Sequence, residues 1–295
     1  MRAFLPFVCI GAFLFSSSSV FAQKKKDYNR NNTVYQDVNH YGKGSQVQSL
    51  KLALGGGAVS YSGELGNYGD KIRPMVNVGI LYKIIPNLSL RGDFSYFTLT
   101  GDDKGGNNDF RNLSFRSRNI EAFGGVMYEL FDVDNYSRGQ ALIVNPYIFA
   151  GLGVTNVNPT TVLDGNRYKL RDFQTEDVKY AGSTPVIPLG LGVRLEVTRM
   201  IGFSLEATYR FTFTDYLDDV STNYVVLNDP LRARLADRGP EVGTPAAEPG
   251  QQRGNPASND GYLSLGARVE FLLFPSPVSN KPQCPGRVRR RGVRN

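Results

Sequence analysis

The sequence predicts an all-β fold: an eight-stranded antiparallel transmembrane β-barrel with short turns at one end and long loops at the other. Three observations predict it. Apolar and polar residues alternate with a period of two, the alternating segments number eight, and the connections between them are short on one side and long on the other. The alternation is plainest in three segments. In Leu88 to Phe97, Leu88, Leu90, Phe94 and Tyr96 alternate with Ser89, Arg91, Asp93 and Ser95. In Phe203 to Phe211, Phe203, Leu205, Ala207, Tyr209 and Phe211 alternate with Ser204, Glu206, Thr208 and Arg210. In Leu263 to Phe271, Leu263, Leu265, Ala267, Val269 and Phe271 alternate with Ser264, Gly266, Arg268 and Glu270. Each has one apolar and one polar face. Five more segments follow the template less cleanly: Ser49 to Tyr61, Arg73 to Tyr82, Asn119 to Leu130, Pro146 to Val154 and Pro188 to Val197. All have roughly the length a tilted strand needs to cross a bilayer. The glycines scattered through them (Gly55 to Gly57, Gly124, Gly125, Gly151, Gly153, Gly190 and Gly192) would weaken a free strand but permit sharp curvature in a small closed barrel.

Alternation alone fits either a soluble cup with apolar residues inside or a membrane barrel with them outside. The connections favour the membrane barrel. Two of the three turns on one side are short (Lys83 to Asn87, Thr198 to Gly202), whereas those opposite are long (Thr100 to Arg118, Thr155 to Val186, Thr212 to Gly261). Aromatic residues near strand ends (Tyr61, Tyr82, Tyr96, Phe97, Tyr128, Tyr209, Phe211, Tyr262, Phe271 and Phe274) are placed to form two interfacial girdles. The apolar face would then meet outer-membrane lipid. Arg91, Asp93, Glu121, Arg194, Glu196, Glu206, Arg210, Arg268 and Glu270 would point into the lumen. Eight strands enclose little more than side-chain volume, so these charges are expected to pair and fill it, which argues against a diffusion pore.

Composition narrows the function classes. The 295 residues carry a net charge of +7, with 41% hydrophobic and 21% charged residues. A mean hydropathy of −0.29 excludes a polytopic helical membrane protein. The single His40 and two cysteines leave most hydrolase triads and histidine metal sites without their residues. The charge excess is terminal. Arg2 and six tail bases (Lys281, Arg287, Arg289, Arg290, Arg291 and Arg294) account for it, and the body between them is neutral.

Residues 1–22 read as a cleaved export signal: Met1 and Arg2, an apolar run from Ala3 to Phe15, then Ser16 to Ser19 and Val20-Phe21-Ala22 before the cut. That run is too short for an uninterrupted helical span. Residues 23–46 are polar and without period, a flexible periplasmic leader. The barrel is expected over 47–274, and 275–295 form a Pro-rich, basic periplasmic tail. With an even number of strands, both termini return to the periplasm.

Several motifs carry a resemblance. YSGELG (Tyr61 to Gly66), RNLSFRS (Arg111 to Ser117), PYIFAGLGV (Pro146 to Val154), FTDYLDDVSTNY (Phe213 to Tyr224) and RGNP followed by Asn259 and Asp260 resemble the PorG-like outer-membrane barrels of Bacteroidota. The resemblance runs from Leu50 to Phe274, and Phe213 to Tyr224 is its most specific part. It implies a barrel of the type IX secretion and gliding apparatus, in contact with a periplasmic ring built from a lipoprotein and its partner subunit.

Within FTDYLDDVSTNY, Asp215, Asp218 and Asp219 gather three carboxylates at the extracellular rim. Clustered hard oxygens suit calcium, yet the spacing matches no EF-hand loop. The favoured reading is a loop cap in which these aspartates bond to Arg111, Arg116 or Arg253, with no metal and no cofactor. Catalysis is not expected, because the only imidazole lies in the leader and no histidine is available to act as a base at the rim. Neither a small-molecule substrate nor nucleic acid is expected, the latter because the chain is exported.

On the periplasmic side, the long turn from Phe131 to Asn145 carries Asp132, Asp134, Tyr136 and Arg138 and is a candidate docking surface. The tail offers Cys284, the only thiol left after signal cleavage, beside Arg287, Arg289, Arg290 and Arg291. An odd cysteine in an oxidising compartment points to an intermolecular disulfide or a free thiol. The basic run admits a solvated tract, anionic lipid or an acidic partner surface. A clamp on a periplasmic ring subunit is the favoured reading.

Overall fold

Alternating sequence becomes a closed barrel in the computed structural model, which describes residues 49–65, 71–85, 87–131, 143–198 and 200–274. The strands are β1 (Leu50–Ser62), β2 (Arg73–Ile85), β3 (Leu88–Asp102), β4 (Ser114–Glu129), β5 (Ile143–Asn156), β6 (Pro159–Leu163), β7 (Asn166–Lys169), β8 (Ser183–Glu196), β9 (Ile201–Thr212) and β10 (Gly261–Phe274). Eight of them form the barrel. Pairing runs β3-β2-β1-β10-β9-β8-β5-β4, and β3 pairs β4 to close the ring. Every barrel pair is antiparallel, and the closure leaves no barrel strand with a free edge.

The faces sort as the alternation predicts. Along β9, Phe203, Leu205 and Phe211 point out, while Ser204, Thr208 and Arg210 are buried inside. The outward belt includes Val78, Ile80, Leu90, Ile120, Ile148, Leu152 and Leu191, with Leu152 72% exposed. In water so continuous an apolar surface would drive aggregation; in lipid it is the expected exterior. Outward aromatics mark both margins: Tyr82, Tyr128, Phe203 and Phe271 at the turn end, Tyr96, Phe211 and Phe213 at the loop end.

Three aromatics assigned to the girdles from sequence turn inward instead. Tyr61, Phe97 and Tyr262 are all buried. Each stands in register with the polar face of its strand, and each has a partner there. The Tyr61 hydroxyl bonds Asp218, the Tyr262 hydroxyl donates to Glu121, and the Phe97 ring lies 5.1 Å from that of Tyr262.

The strands also run further than their alternation suggests at the loop end. β3 continues to Asp102, β4 begins at Ser114 and β8 at Ser183. These extensions rise past the apolar belt because Leu99 and Phe115 on their inner faces pack beneath the loops. Between β5 and β8, a segment expected to be loop forms the β6–β7 hairpin. Its turn, Asp164-Gly165, has φ of 50° and 80°, the left-handed pair that a two-residue hairpin turn requires.

Inward glycines do more than permit curvature. A Cβ at Gly79 would stand 2.0 Å from an Asp93 oxygen and 2.5 Å from an Arg268 nitrogen. The missing side chain is the space an ion pair occupies.

Residues 1–48, 132–142 and 275–295 lie outside the described residues. The export signal, the leader, Asp132, Asp134, Tyr136, Cys284, Arg287, Arg289, Arg290 and Arg291 all fall there.

Candidate functional site

Inside the barrel, alternation sets charged side chains against one another across strands, and they pair in layers. In the middle layer, Arg91 on β3 holds Glu206 on β9 with two parallel bonds of 2.9 and 2.8 Å and also pairs with Asp93. Arg268 on β10 completes this layer, 2.7 Å from Asp93 and 3.5 Å from Glu206. Towards the loop end, Arg210 meets Glu121 at 2.8 Å and the Ser264 hydroxyl at 2.6 Å. Towards the turn end, Arg194 pairs with Glu270 at 2.8 Å and with Glu129. Lys51 closes that end on Glu196 at 3.0 Å and Glu270 at 3.7 Å.

All nine lumen charges read from the sequence therefore face inward. Lys51 and Glu129, which alternation did not single out, join them. Lys51 was obscured because β1 is interrupted by Gly55 to Gly57, and Glu129 because it closes its strand. The void among Arg91, Asp93, Glu206, Arg210 and Arg268 is about 10 Å³, enough for a single water. Aromatic rings fill the remainder, with the Arg91 guanidinium 3.8 Å from the centre of the Phe149 ring.

Above the lumen the long loops form a cap with its own apolar core, in which Leu65, Leu99, Leu113, Phe115, Leu163, Leu170, Leu217, Val220 and Leu235 are buried together. Its polar clasp is centred on Arg253. That guanidinium reaches Glu176 at 2.7 Å, the main-chain oxygen of Asp219 at 2.5 Å and that of Ala236 at 3.1 Å. Glu176 also accepts from the Ser221 and Thr222 amides at 2.9 Å and from the Thr222 hydroxyl at 2.7 Å. Burial works against its charge, but Arg253 and these donors outweigh it and hold the carboxyl below its ordinary value. Asp219, with φ of 72°, accepts from Thr175 at 2.5 Å and Tyr180 at 2.6 Å. Burial raises it to about 6 despite Arg253.

The three rim aspartates thus separate. Asp219 joins the Arg253 clasp. Arg111 instead holds Asp103 at 2.7 Å and donates to the Arg253 carbonyl, while Arg116 points outward and takes no part. Asp215 and Asp218 turn the other way, towards Glu64 after β1 and Asp260 before β10.

This second group is unlike everything else in the cap. Asp218 is fully buried and accepts from the Tyr61 hydroxyl at 2.7 Å, the Val220 amide at 2.9 Å and the Leu65 amide at 3.3 Å. Asp260 accepts from the Leu217 amide at 2.9 Å and from the same Tyr61 hydroxyl. One phenol proton cannot serve both carboxylates at once. Glu64 accepts from the Asn255 amide at 3.2 Å through one oxygen, and its other oxygen is buried without a donor. Among the described residues both oxygens of Asp215 are buried without a donor. Among the described residues none of the four carboxylates is in an ion pair.

Burial, with Asp215 adding to it, lifts Glu64 to about 7. Burial lifts Asp215 to about 7, opposed by Ser221 and helped by Asp218. Asp218 rises to about 8 through burial and the charge of Glu64, and Asp260 is raised well above its ordinary value by burial and Asp218. Two like charges 4 Å apart repel by about 4 kcal/mol at an effective dielectric of about 20, more than the ~1 kcal/mol a hydrogen bond returns. Sequence spacing shows only half of this group, since Glu64 and Asp260 arrive from separate connections. Their signal was their position in YSGELG and in the Asn259-Asp260 pair, each beside a strand end.

A closed ring of eight antiparallel strands with an apolar exterior, aromatic margins and a charge-filled interior defines a small outer-membrane β-barrel. Within that class, the chain belongs to the DUF6089 family, described as a domain of unknown function, whose pattern matches residues 16–228. No curated protein matches it. Among solved structures it is similar to Neisserial surface protein A, at 11% identity and TM-score 0.40, over 77% of this chain and 99% of that one. It is similar also to the N-terminal β-barrel domain of Pseudomonas aeruginosa OprF, at 11% identity and TM-score 0.35, over 77% and 100%. A third is Ail, the attachment invasion locus protein of Yersinia pestis, at 12% identity and TM-score 0.33, over 77% and 99%.

Proposed function

We propose that this protein is a non-conducting, non-catalytic anchor in the Gram-negative outer membrane, with its loop end outside the cell and its turn end, including both termini, in the periplasm. The observation that carries the reading is the filled lumen. Lys51, Arg91, Arg194, Arg210 and Arg268 are matched by carboxylates across the barrel, so an aqueous path has neither room nor unpaired charge to line it. For chemistry, the sequence has no imidazole after His40. What remains available for function is the two ends.

The assembly we propose for the periplasmic end is the ring of the type IX secretion and gliding apparatus, formed by a lipoprotein and its partner subunit. Support comes from the segments YSGELG, RNLSFRS, FTDYLDDVSTNY and RGNP, which resemble the PorG-like barrels. In this reading Asp132, Asp134, Tyr136, Cys284 and the arginines at 287, 289, 290 and 291 meet the ring. A second reading, a stand-alone barrel that binds an extracellular ligand, draws support from the braced cap.

Affinity purification from detergent-solubilised membranes separates the two. Recovery of a periplasmic ring lipoprotein with the full chain, but not with a chain ending at Phe274, is expected. A normal secretome after deletion of the gene would remove the secretion role and leave the surface-binding reading.

A further inference from the structure

The geometry points to a calcium site at the loop end of the barrel, formed by the carboxylates of Glu64, Asp215 and Asp260. One oxygen from each lies within 4.8 Å of the other two. Calcium takes oxygen ligands at about 2.4 Å, so oxygens on opposite sides of one ion stand about 4.8 Å apart. The three therefore fit in a single calcium shell.

Proximity of acids alone would not make a site. The second observation is Asp215, only 7% exposed, with one oxygen in the cluster and, among the described residues, no donor on either oxygen. A buried carboxylate is normally hydrogen-bonded or paired, and an orphan one beside two others implies a cation or shared protons. Glu64 contributes a third buried oxygen without a donor. The cap is not short of cations, but they are committed elsewhere: Arg253 to Glu176, and Arg111 to Asp103. Asp218 stands behind the site, its two oxygens in contact with the Tyr61 hydroxyl and two amides. Burial first, and then repulsion within the group, lifts the affinity of these carboxyls for protons, and the repulsive part is a bias that also favours a divalent ion.

The donor set selects the ion. With only carboxylates and no histidine or cysteine, zinc is disfavoured. Magnesium keeps several of its waters, whereas calcium accepts six to eight oxygens in flexible geometry, which suits carboxylates carried on loops. The mechanical consequence follows from where the ligands lie. Glu64 belongs to the β1–β2 connection, while Asp215 and Asp260 stand at the two ends of the long β9–β10 connection. One ion would staple the neck of that connection to its neighbour. This site is independent of the role proposed for the periplasmic end, and either can fail alone.

The test uses the full-length protein folded in detergent and stripped with EGTA. Terbium is the probe, since the chain has no tryptophan and Tyr61 touches the Asp260 carboxylate, so sensitised emission reports on tyrosine near the ion. We expect calcium to displace terbium with a dissociation constant on the order of 10⁻⁴ to 10⁻³ M, and magnesium to compete more weakly. Calcium should also slow proteolysis of the 213–260 connection. Asp215→Asn and Glu64→Gln should each weaken calcium at least tenfold, while Asp164→Asn, on the exposed β6–β7 turn, should leave it unchanged. Should a variant fail to fold, the wild-type titration decides. No calcium-dependent change in wild-type emission or proteolysis up to 10 mM would overturn the site and leave shared protons as the occupant. So would equal affinity in wild type and folded Asp215→Asn.

Discussion

The lumen and the cap both bury carboxylates, and they treat them in opposite ways. In the lumen each acid faces an arginine or lysine from another strand, as Glu206 faces Arg91 and Arg268, and Glu121 faces Arg210. In the cap one half follows that rule, with Glu176 and Asp219 on Arg253. The other half, Glu64, Asp215, Asp218 and Asp260, holds four acids with no ion pair among the described residues, and Arg111 and Arg253 act on it only from a distance. A paired interior is explained once its pairs are named: it fills the barrel and fixes register. An unpaired one implies something further, and position gives it meaning, because it lies where loops meet rather than where strands close.

The contrast can be broken most severely from the lumen side. Arg91→Leu leaves Asp93 and Glu206 short of their closest cation, and removing one partner of a buried pair costs about 3–5 kcal/mol. Urea unfolding in detergent micelles should show that loss. The same kind of change in the cap should have the opposite sign. Without calcium and at a pH above about 8, where Asp215 is ionised, Asp215→Asn removes a charge that repels its acidic neighbours and should raise stability by roughly 1 kcal/mol. A destabilisation equal to that of Arg91→Leu would erase the distinction between the two regions.

A smaller effect concerns the paired half of the cap. Folding depresses the Glu176 carboxyl below its ordinary value of 4.5, chiefly through Arg253 acting against burial. A depressed acid contributes stability that is present above its unfolded value and is lost as pH falls through the folded one. Protection of the 213–260 connection from an acid-active protease should therefore decline as pH falls below about 4.5. The other groups facing Glu176 are Asp215, Asp219 and Tyr216, and in this window the first two, raised to about 7 and about 6, are already protonated. Glu176→Gln should flatten the profile.

How far the sequence could be read depended on the range of the signal. Alternation is local, so the barrel strands and the inward charges from Arg91 to Glu270 were legible one segment at a time. The same logic misplaced Tyr61, Phe97 and Tyr262, because an aromatic near a strand end looks like a girdle residue until its register is counted. The β6–β7 hairpin is marked in the sequence only by the Asp164-Gly165 turn pair, because its strands are too short for alternation to stand out within a long connection. The acidic group was half visible. Asp215, Asp218 and Asp219 drew notice by adjacency, yet Asp219 belongs to another cluster. Glu64 and Asp260 are brought in by the β1–β10 pairing, in which Ser62 opposes Gly261. Only barrel closure reveals that neighbourhood.

The central claim is that the interior is a packed, charge-matched solid and that function resides at the ends. Planar-bilayer recording of the purified full-length protein tests it most directly. The account predicts no stable conductance, because the lumen void among the central charges holds about one water. A steady, porin-like current would contradict it.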